Sequence, residues 1–320
     1  MNWENKEVLI TGGTGSLGNK IVETLMERYH PKGIRIFSRD ELKQWEMKKR
    51  VDEKYPKAPI SFLVGDIKDR KRIELATKGV DILIHTAALK QVPSCEFNPL
   101  ETINTNVIGS QNVIYAALEN NISKVMAIST DKAVYPINLY GACKLCMEKL
   151  FIHGNIYSGG RSPHFSCCRY GNVLGSRGSV VPLFQKQVKE QGLVTITRKE
   201  MTRFWITLKD VAEFVLKAID KMDGGEVFVP NMPSASILEI AKATTKENVQ
   251  IKEIGIRPGE KIHETLISEE ESAYTFYDSI LKCFKIIAGK EKKIVKIFRY
   301  DSNTNANWLS KEEIKERVNE

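Results

Sequence analysis

Val8-Leu9-Ile10-Thr11-Gly12-Gly13-Thr14-Gly15-Ser16-Leu17-Gly18 is the stretch on which the fold turns. A short apolar strand runs into glycines at 12, 15 and 18, spaced G-x-x-G-x-x-G, and a helical pattern follows over 15–30. Glycine permits the tight turn and the close approach of a phosphate, and the helix amino terminus offers free N–H groups to it. Gly12, Thr14, Gly15, Ser16, Leu17 and Gly18 are therefore expected to cradle the pyrophosphate of a dinucleotide. Three glycines alone could be an ordinary strand–helix turn; their place at the first strand of an alternating pattern favours the cofactor.

That alternation extends outward through the first 170 or so residues. Strand-like runs cover Val8–Thr11, Gly33–Ser38, Ser61–Gly65, Val80–Thr86, Lys124–Ser129 and His164–Tyr170, with helical patterns at 15–30, 40–53, 69–78, 99–119 and 138–157. Short apolar strands separated by helices predict a parallel sheet covered on both faces, an α/β doubly wound Rossmann-type layer. After residue 172 glycine and proline punctuate more often, and helices are expected near 209–222, 235–246 and, with Ser310 and Glu313 in capping-box spacing, 311–319. The expected division is a dinucleotide-binding domain at 1–172 and a smaller substrate lobe at 173–320, with some segments returning to the sheet.

The strand ending Phe37-Ser38-Arg39-Asp40 bears on cofactor choice. An NAD site usually carries an acid here for the ribose hydroxyls. Ser38, Arg39 and Lys43 together suit a 2′-phosphate, so NADP is expected, with Asp40 keeping NAD open and Ser38–Glu41 also readable as a capping box. Asp66-Ile67 ends the third strand where an adenine edge could be read. Ala87, Ala88 and Lys90 follow the fourth, small enough in part for a dinucleotide to lie close.

Further on, Ser129-Thr130-Asp131-Lys132 follows a strand, and Tyr140 and Lys144 come four residues apart on one helix face. A phenol beside a fixed ammonium loses its proton more readily, which serves deprotonation of an alcohol during hydride transfer. Asp131 and Lys132 add an acid and a potential base that alcohol oxidation does not need. They point to a reaction in which a C–H bond breaks and a hydroxyl leaves; a surface ion pair is the bland alternative.

The 320 residues carry 48 Lys and Arg against 40 Asp and Glu, a net charge of +8. The signs are interspersed, so no nucleic-acid partner is expected; the basic stretch Lys282–Arg299 alternates with apolar residues and reads as strands with a solvated face. No leader-like segment opens the chain and no apolar run reaches the roughly 20 residues of a membrane span, so a cytoplasmic protein with no membrane partner is expected. Six cysteines form no disulfide framework, and Cys143-x-x-Cys146 falls within the Tyr140 helix, where packing is the simpler reading. His85, inside an apolar strand, reads as a hydrogen-bonded core residue, and no metal-ligand spacing occurs.

TGGTGSLG with Tyr140-x-x-x-Lys144 resembles the extended short-chain dehydrogenase/reductases that act on nucleotide sugars. Within them, IFSRDELKQWEM, HTAALKQVPSCEFNPLE, STDKAVYPINLYGACK, RYGNVLGSRGSVVP, MTRFWIT and RPGEKIHE look like the inverting UDP-N-acetylglucosamine 4,6-dehydratases of flagellin pseudaminic acid synthesis. The resemblance covers about residues 5–270. It implies NADP as hydride carrier, UDP-N-acetylglucosamine as substrate, transient oxidation at C4, loss of water across C5–C6, hydride return to C6 and inversion at C5. On it rest the roles of Tyr140 beside the cofactor, Lys144 on the nicotinamide ribose, Lys132 as base at C5 and Asp131 as acid for the C6 oxygen. Lys132 would have to be neutral, and burial, the Lys144 ammonium and the nicotinamide are expected to lower its pKa. Val173 is implied at the cofactor, and Lys90, Asn172, Arg177, Arg203, Arg257 and Glu260 at the substrate, with Arg257 or Arg203 as pyrophosphate anchor. Self-association through the 99–119 and 138–157 helices is a further implication. Some relatives sharing LKQVPSCEF carry methionine in place of Tyr140 and serve capsule or O-antigen pathways, so the pathway stays open. A retaining dehydratase, a UDP-sugar 4-epimerase and a silent NADP-binding scaffold are the competing readings.

Overall fold

The computed structural model describes residues 1–245, 249–289 and 297–319. In chain order the strands are β1 (Glu7–Thr11), β2 (Gly33–Ser38), β3 (Ile60–Val64), β4 (Ile82–His85), β5 (Lys124–Thr130), β6 (His164–Tyr170), β7 (Asn172–Val173), β8 (Leu193–Ile196), β9 (Thr202–Ile206), β10 (Glu226–Pro230), β11 (Ser234–Ser236), β12 (Gln250–Glu253), β13 (Thr265–Ile267), β14 (Thr275–Asp278), β15 (Cys283–Ile287) and β16 (Tyr300–Asp301). The helices are α1 (Ser16–Thr24), α2 (Glu41–Lys54), α3 (Arg70–Ala76), α4 (Val92–Phe97), α5 (Pro99–Ile103), α6 (Gly109–Glu119), α7 (Leu139–Gly154), α8 (Val180–Gln191), α9 (Leu208–Lys221), α10 (Ile237–Thr244), α11 (Glu269–Ser272) and α12 (Lys311–Asn319).

Among the described residues the main sheet has the order β14-β15-β10-β6-β5-β4-β1-β2-β3. Strands β3 through β10 in that order pair in parallel, and β15 then β14 close the edge antiparallel. The doubly wound α/β sheet expected from the alternation is thus the one observed. Its strand order reverses at β1, which lies between β2 and β4, and such a reversal opens a crevice at the carboxyl ends of the strands. Val8, Leu9, Ile10, Ile82, Leu83 and Ile84 are fully buried, because a parallel sheet is covered on both faces.

The apolar side chains form two buried clusters. The larger follows the sheet and includes β10, β15 and α9; the smaller gathers Leu174, Val181, Phe184, Val194, Ile196, Trp205, Ile240, Leu309 and Ile314. Helix α12 begins with the expected reciprocal cap: the Ser310 N–H donates to Glu313 Oε2 at 2.8 Å and the Glu313 N–H to Ser310 Oγ at 3.2 Å.

Three local expectations change. The capping box over Ser38–Glu41 does not form: α2 starts at Glu41, and Asp40 caps it by accepting the Lys43 N–H at 3.0 Å, while Ser38 is still paired within the sheet. The single helix over 99–119 is α5 and α6 joined by a wider π-turn at Asn104–Ile108. The basic stretch is described only in part: Cys283–Ile287 is β15, with Lys285 half-buried against Asp278 at 2.7 Å rather than solvated. Residues 290–296 of that stretch, and residue 246 of the helix expected at 235–246, lie outside the described residues. Among the described residues no helix is long and apolar enough to cross a membrane.

Candidate active site

The turn after β1 is shaped by close backbone approach. Gly12 has φ +66°, and a Cβ there would lie 2.8 Å from the Ala87 backbone on the neighbouring strand end. The helix it feeds, α1, has Gly15 at its N-cap with no side-chain hydrogen bond, whereas α2, α7, α9 and α10 are capped by Asp40, Asn138, Thr207 and Ser236. Its first N–H groups are left for a ligand. The residues present therefore fit the pyrophosphate of a dinucleotide.

Two adjoining clefts open at this point. One is lined by Gly12, Thr14, Ser38, Arg39, Asp40, Lys43, Asp66, Ile67, Ala87 and Ala88, with Phe37, Gly65 and Thr105. The sequence-predicted adenosine side is thus brought together, apart from Glu41, which is exposed on the first turn of α2. The basic groups here already have acids: Arg39 Nη1 is 3.6 Å from Asp66 Oδ2, and Lys43 Nζ is 2.7 Å from Asp40 Oδ2.

The second cleft, about 390 Å³, is lined by Gly15, Ser16, Leu17, Gly18, Lys90, Lys132, Tyr140, Lys144, Asn172 and Val173 among the expected residues. Thr86, Ile128, Ser129, Thr130, Tyr170, Ser176, Ser179 and Leu208 add to the wall without having been singled out. Buried side-chain oxygens without a hydrogen-bond partner are, among the described residues, those of Ser129, Asp131, Asn172, Ser179, Glu260 and Glu264. Ser129, Asn172 and Ser179 line this cleft, and Asp131 and Glu264 flank Lys132. Buried polar atoms are nearly always paired, so a cluster of orphans marks where a polar ligand belongs.

Lys132 is held by two carboxylates. Its Nζ lies 2.9 Å from Asp131 Oδ1 and 3.4 Å from Glu264 Oε1. Thr130 Oγ1 donates to the same Asp131 oxygen at 2.9 Å. Burial pushes the Lys132 amine down, but the attraction of Asp131 and Glu264 outweighs it and the pKa ends above the ordinary lysine value. The lowering expected from sequence is therefore reversed: burial acts as expected, and two anions beside the amine win.

The Tyr140–Lys144 pair also departs from expectation. Burial raises the Tyr140 phenol to about 12, with Lys132 rather than Lys144 the cation opposing the rise. Burial lowers Lys144 to about 8, and its Nζ donates to the Ile128 carbonyl at 2.5 Å and meets Met147 Sδ at 3.0 Å. Gly141 brings the start of α7 onto this constellation, since a Cβ there would run into the Lys132 carbonyl.

The arginines divide. Arg203 is buried, and its Nη1 and Nη2 donate to the Thr202, Ile262 and Lys261 carbonyls, so its polar edge is engaged by backbone. Arg257 is exposed and pairs with Glu260 at 2.9 Å. Arg177 lies over α1, its N–H donating to Ser16 Oγ at 3.2 Å and its carbonyl accepting Lys90 Nζ at 3.3 Å. Arg177, Arg203, Arg257 and Glu260 do not line the two clefts; Arg203 and Lys261 instead stand behind Lys132 through Glu264, at 3.8 and 3.7 Å. Glu264 ends the stretch RPGEKIHE, and nothing local in the sequence marks it for the site. His85 is buried as expected, between Thr11 Oγ1 at 2.8 Å and Ser110 Oγ at 3.1 Å, and burial lowers it to about 3. Cys143 is buried and Cys146 exposed, both as free thiols. No metal-holding cluster occurs among the described residues.

Residues 8–284 match a family model described as polysaccharide biosynthesis protein. A protein of Campylobacter jejuni (strain 81-176) named UDP-N-acetylglucosamine 4,6-dehydratase (inverting) is 43% identical over 333 residues, covering 99% of this chain and 98% of that one. A Rickettsia bellii protein named UDP-glucose 4-epimerase is 43% identical over 328 residues, covering 98% and 95%. The X-ray structure of Pen from Bacillus thuringiensis superposes with a TM-score of 0.91 at 38% identity, covering 98% and 97%.

Proposed function

The chain belongs to the polysaccharide biosynthesis protein family, and from that premise we propose that it is a UDP-N-acetylglucosamine 4,6-dehydratase that inverts C5. The observation that carries this reading is Lys132 at the wall of the cleft that also holds Tyr140 and the glycine-rich turn, with Asp131 fully buried 2.9 Å behind it. Elimination of water across C5–C6 needs a base for a carbon-bound hydrogen and an acid for the leaving hydroxyl. The Lys132 amine rests as an ammonium beside Asp131. Moving one proton along their hydrogen bond yields a neutral amine and a carboxylic acid, so a single transfer readies both partners.

A nicotinamide dinucleotide bound at the glycine-rich turn supplies the hydride acceptor for C4 and the donor for C6. Tyr140 takes the C4 hydroxyl proton, for which its phenol must be drawn down from about 12 by cations around it. Lys132 then removes hydrogen from C5, acidified by the C4 ketone, and Asp131 gives its proton to the C6 oxygen, which leaves as water. With hydride returned to C6, a proton taken from solvent on the C5 face opposite Lys132 would give UDP-2-acetamido-2,6-dideoxy-β-L-arabino-hex-4-ulose. We assign NADP over NAD from Ser38, Arg39 and Lys43, and lyase chemistry with no net oxidation. Asn172 and Lys90 are proposed at the sugar, and Arg257 with Glu260 at the UDP, where the planar guanidinium fork suits a diphosphate. Flagellin pseudaminic acid synthesis is the proposed pathway and the cytoplasm the proposed location. Exposed Phe97, Leu100, Ile103 and Ile108 along α4–α6 support self-association.

A UDP-sugar 4-epimerase is the second reading. It is favoured by the epimerase name of a relative that is also 43% identical and by the protonated state of Lys132, which an epimerase need not discharge. Incubation with UDP-N-acetylglucosamine in D₂O followed by NMR separates the cases. A 6-deoxy-4-keto product with deuterium at an inverted C5 is expected. A C4 epimer without C5 exchange would replace the reading with the epimerase, and retained C5 configuration would remove the inversion. Lys132→Ala is expected to abolish the product while NADP(H) stays bound; full activity in that variant excludes Lys132.

A further inference from the structure

Behind the Asp131–Lys132 pair lies a carboxylate that the proposed chemistry does not use. Glu264 directly precedes β13, is 2% exposed, and reaches across from the segment that follows the Arg257–Glu260 turn. Its Oε1 is 3.4 Å from Lys132 Nζ and 3.8 Å from Arg203 Nε; its Oε2 is 3.7 Å from Lys261 Nζ and accepts no hydrogen bond. The three cations around it also donate elsewhere. Arg203 donates to three carbonyls, Lys261 to the Val134 carbonyl at 2.6 Å, and Lys132 to Asp131. A buried carboxylate normally sits in a set of hydrogen bonds. This one, with three cations at 3.4–3.8 Å and its Oε2 unpartnered, acts on them chiefly through its charge.

We infer that Glu264 is a positioning residue that fixes the protonation state of Lys132, so that the lysine approaches the cleft as an ammonium paired to Asp131 and releases its proton only to that partner. The inference rests on the dehydratase reading for its purpose and on the geometry alone for its content. The groups facing Lys132 are Asp131 from its own turn, Tyr140 from α7, Glu264 and Lys261 from the segment before β13, and Arg203 from β9. Asp131 and Glu264 favour the ammonium, and the cations oppose it. Removing the Glu264 charge shifts that balance toward the neutral amine, while removing the Lys261 charge shifts it the other way.

The same segment grips the Lys132 turn at other points. Asn138 Nδ2 donates to the Gly259 carbonyl at 2.8 Å and Lys261 Nζ to the Val134 carbonyl at 2.6 Å, and beyond β13 the Tyr135 hydroxyl donates to Glu270 of α11 at 2.7 Å. The carboxylate is thereby carried to a fixed place, and its effect on Lys132 is set by distance.

The test reads the amine without requiring turnover. The full-length protein with NADP bound is exposed at pH 9 to a limiting amount of acetic anhydride, and acetylation of the Lys132 peptide is quantified by mass spectrometry against exposed lysines. Only the neutral amine reacts, so labelling rises tenfold for each unit by which its pKa falls. Glu264→Gln is expected to raise Lys132 labelling on the order of tenfold or more, and Lys261→Gln to lower it. A residue that merely braced the loop would change exposure in one direction for both variants. Unchanged labelling, or the same direction in both, overturns the inference; if Glu264→Gln does not fold, unchanged or raised labelling in Lys261→Gln does so by itself. The wild-type product assay with UDP-N-acetylglucosamine is run in parallel. A wild type that makes no 6-deoxy-4-keto sugar removes the dehydratase reading, whereas failure of the labelling pattern removes only the role of Glu264.

Discussion

Lys144 is 4% exposed, with a carbonyl and a thioether as its hydrogen-bond acceptors, and burial holds it at about 8 against 10.5 for the free side chain. Its folded pKa is depressed, so burying its charge destabilises the fold. The cost is full below the folded value, falls between 8 and 10.5, and vanishes above the unfolded value. That depression corresponds to roughly 3 kcal/mol at pH 7 and less than half of that at pH 9.5. Lys144→Met is expected to raise the melting temperature of the cofactor-free protein at pH 7, with a gap that shrinks by pH 9.5, while cofactor binding and activity fall. Equal gaps at the two pH values would show that packing rather than charge was relieved. A residue kept at such a cost belongs to the cofactor site rather than to the core. Arg39 is the complementary case on the surface of the adenosine cleft. Arg39→Ala is expected to weaken NADP on the order of tenfold, about 1.4 kcal/mol, and NAD much less, by calorimetry. Equal weakening would mean that the 2′-phosphate is not read there, and the acids beside Arg39 and Lys43 make this a real contest.

At the scale of elements, the approach of α7 to the turn carrying Lys132 is set by Gly141. Alanine in a helix interior is favoured over glycine by about 1 kcal/mol, but overpacking of a close contact costs about 1–3 kcal/mol. A Cβ at 141 meets backbone, the Lys132 carbonyl, which cannot rotate aside. The clash should win, so Gly141→Ala is expected to lower stability and to reduce turnover at least tenfold while NADP binding changes little. A stabilised, active variant would show that α7 and the turn can separate without consequence. The Tyr140–Lys144 spacing was legible in sequence because helical periodicity alone puts both on one face. Glu264 was not, because 132 residues separate it from Lys132 and only the folded chain joins them. The cap of α2 was misread by two residues: both Ser38 and Asp40 are good caps, and the choice depends on where β2 stops pairing with β3. Arg203 looked like a free anion-binding arginine, and its engagement by three carbonyls could not be inferred from residue type.

Across the whole molecule, the sheet was legible because its central strands β1, β4 and β5 each bury a continuous apolar run, and a parallel sheet covered on both faces requires such runs. The antiparallel edge was not: β15 falls in a stretch that reads as strand, but β14 follows only the four-residue α11, and nothing local sets the direction in which the two pair with β10. What ties that late part of the chain to the sheet is Arg169 on β6, 1% exposed. It donates to Glu148 on α7 at 2.9 and 2.6 Å, to Glu271 on α11 at 2.8 Å twice, and to the Leu266 carbonyl at 2.9 Å. Removing one member of a buried ion set costs about 3–5 kcal/mol because the remaining charges are left uncompensated. Arg169→Met is therefore expected to destabilise strongly, and Arg169→Met with Glu148→Leu and Glu271→Leu to recover most of the loss. The clasp also fixes an acid limit. Burial pushes the Glu271 carboxyl up, but Arg169 pulls it below the free value, so its contribution is fully present above the unfolded pKa near 4.5 and is lost as pH falls through the lower folded value. Urea unfolding of the wild type should lose stability below pH 4.5 more steeply than the triple variant does. Parallel pH curves for the two proteins would mean that the acid sensitivity arises elsewhere and that the clasp is replaceable packing.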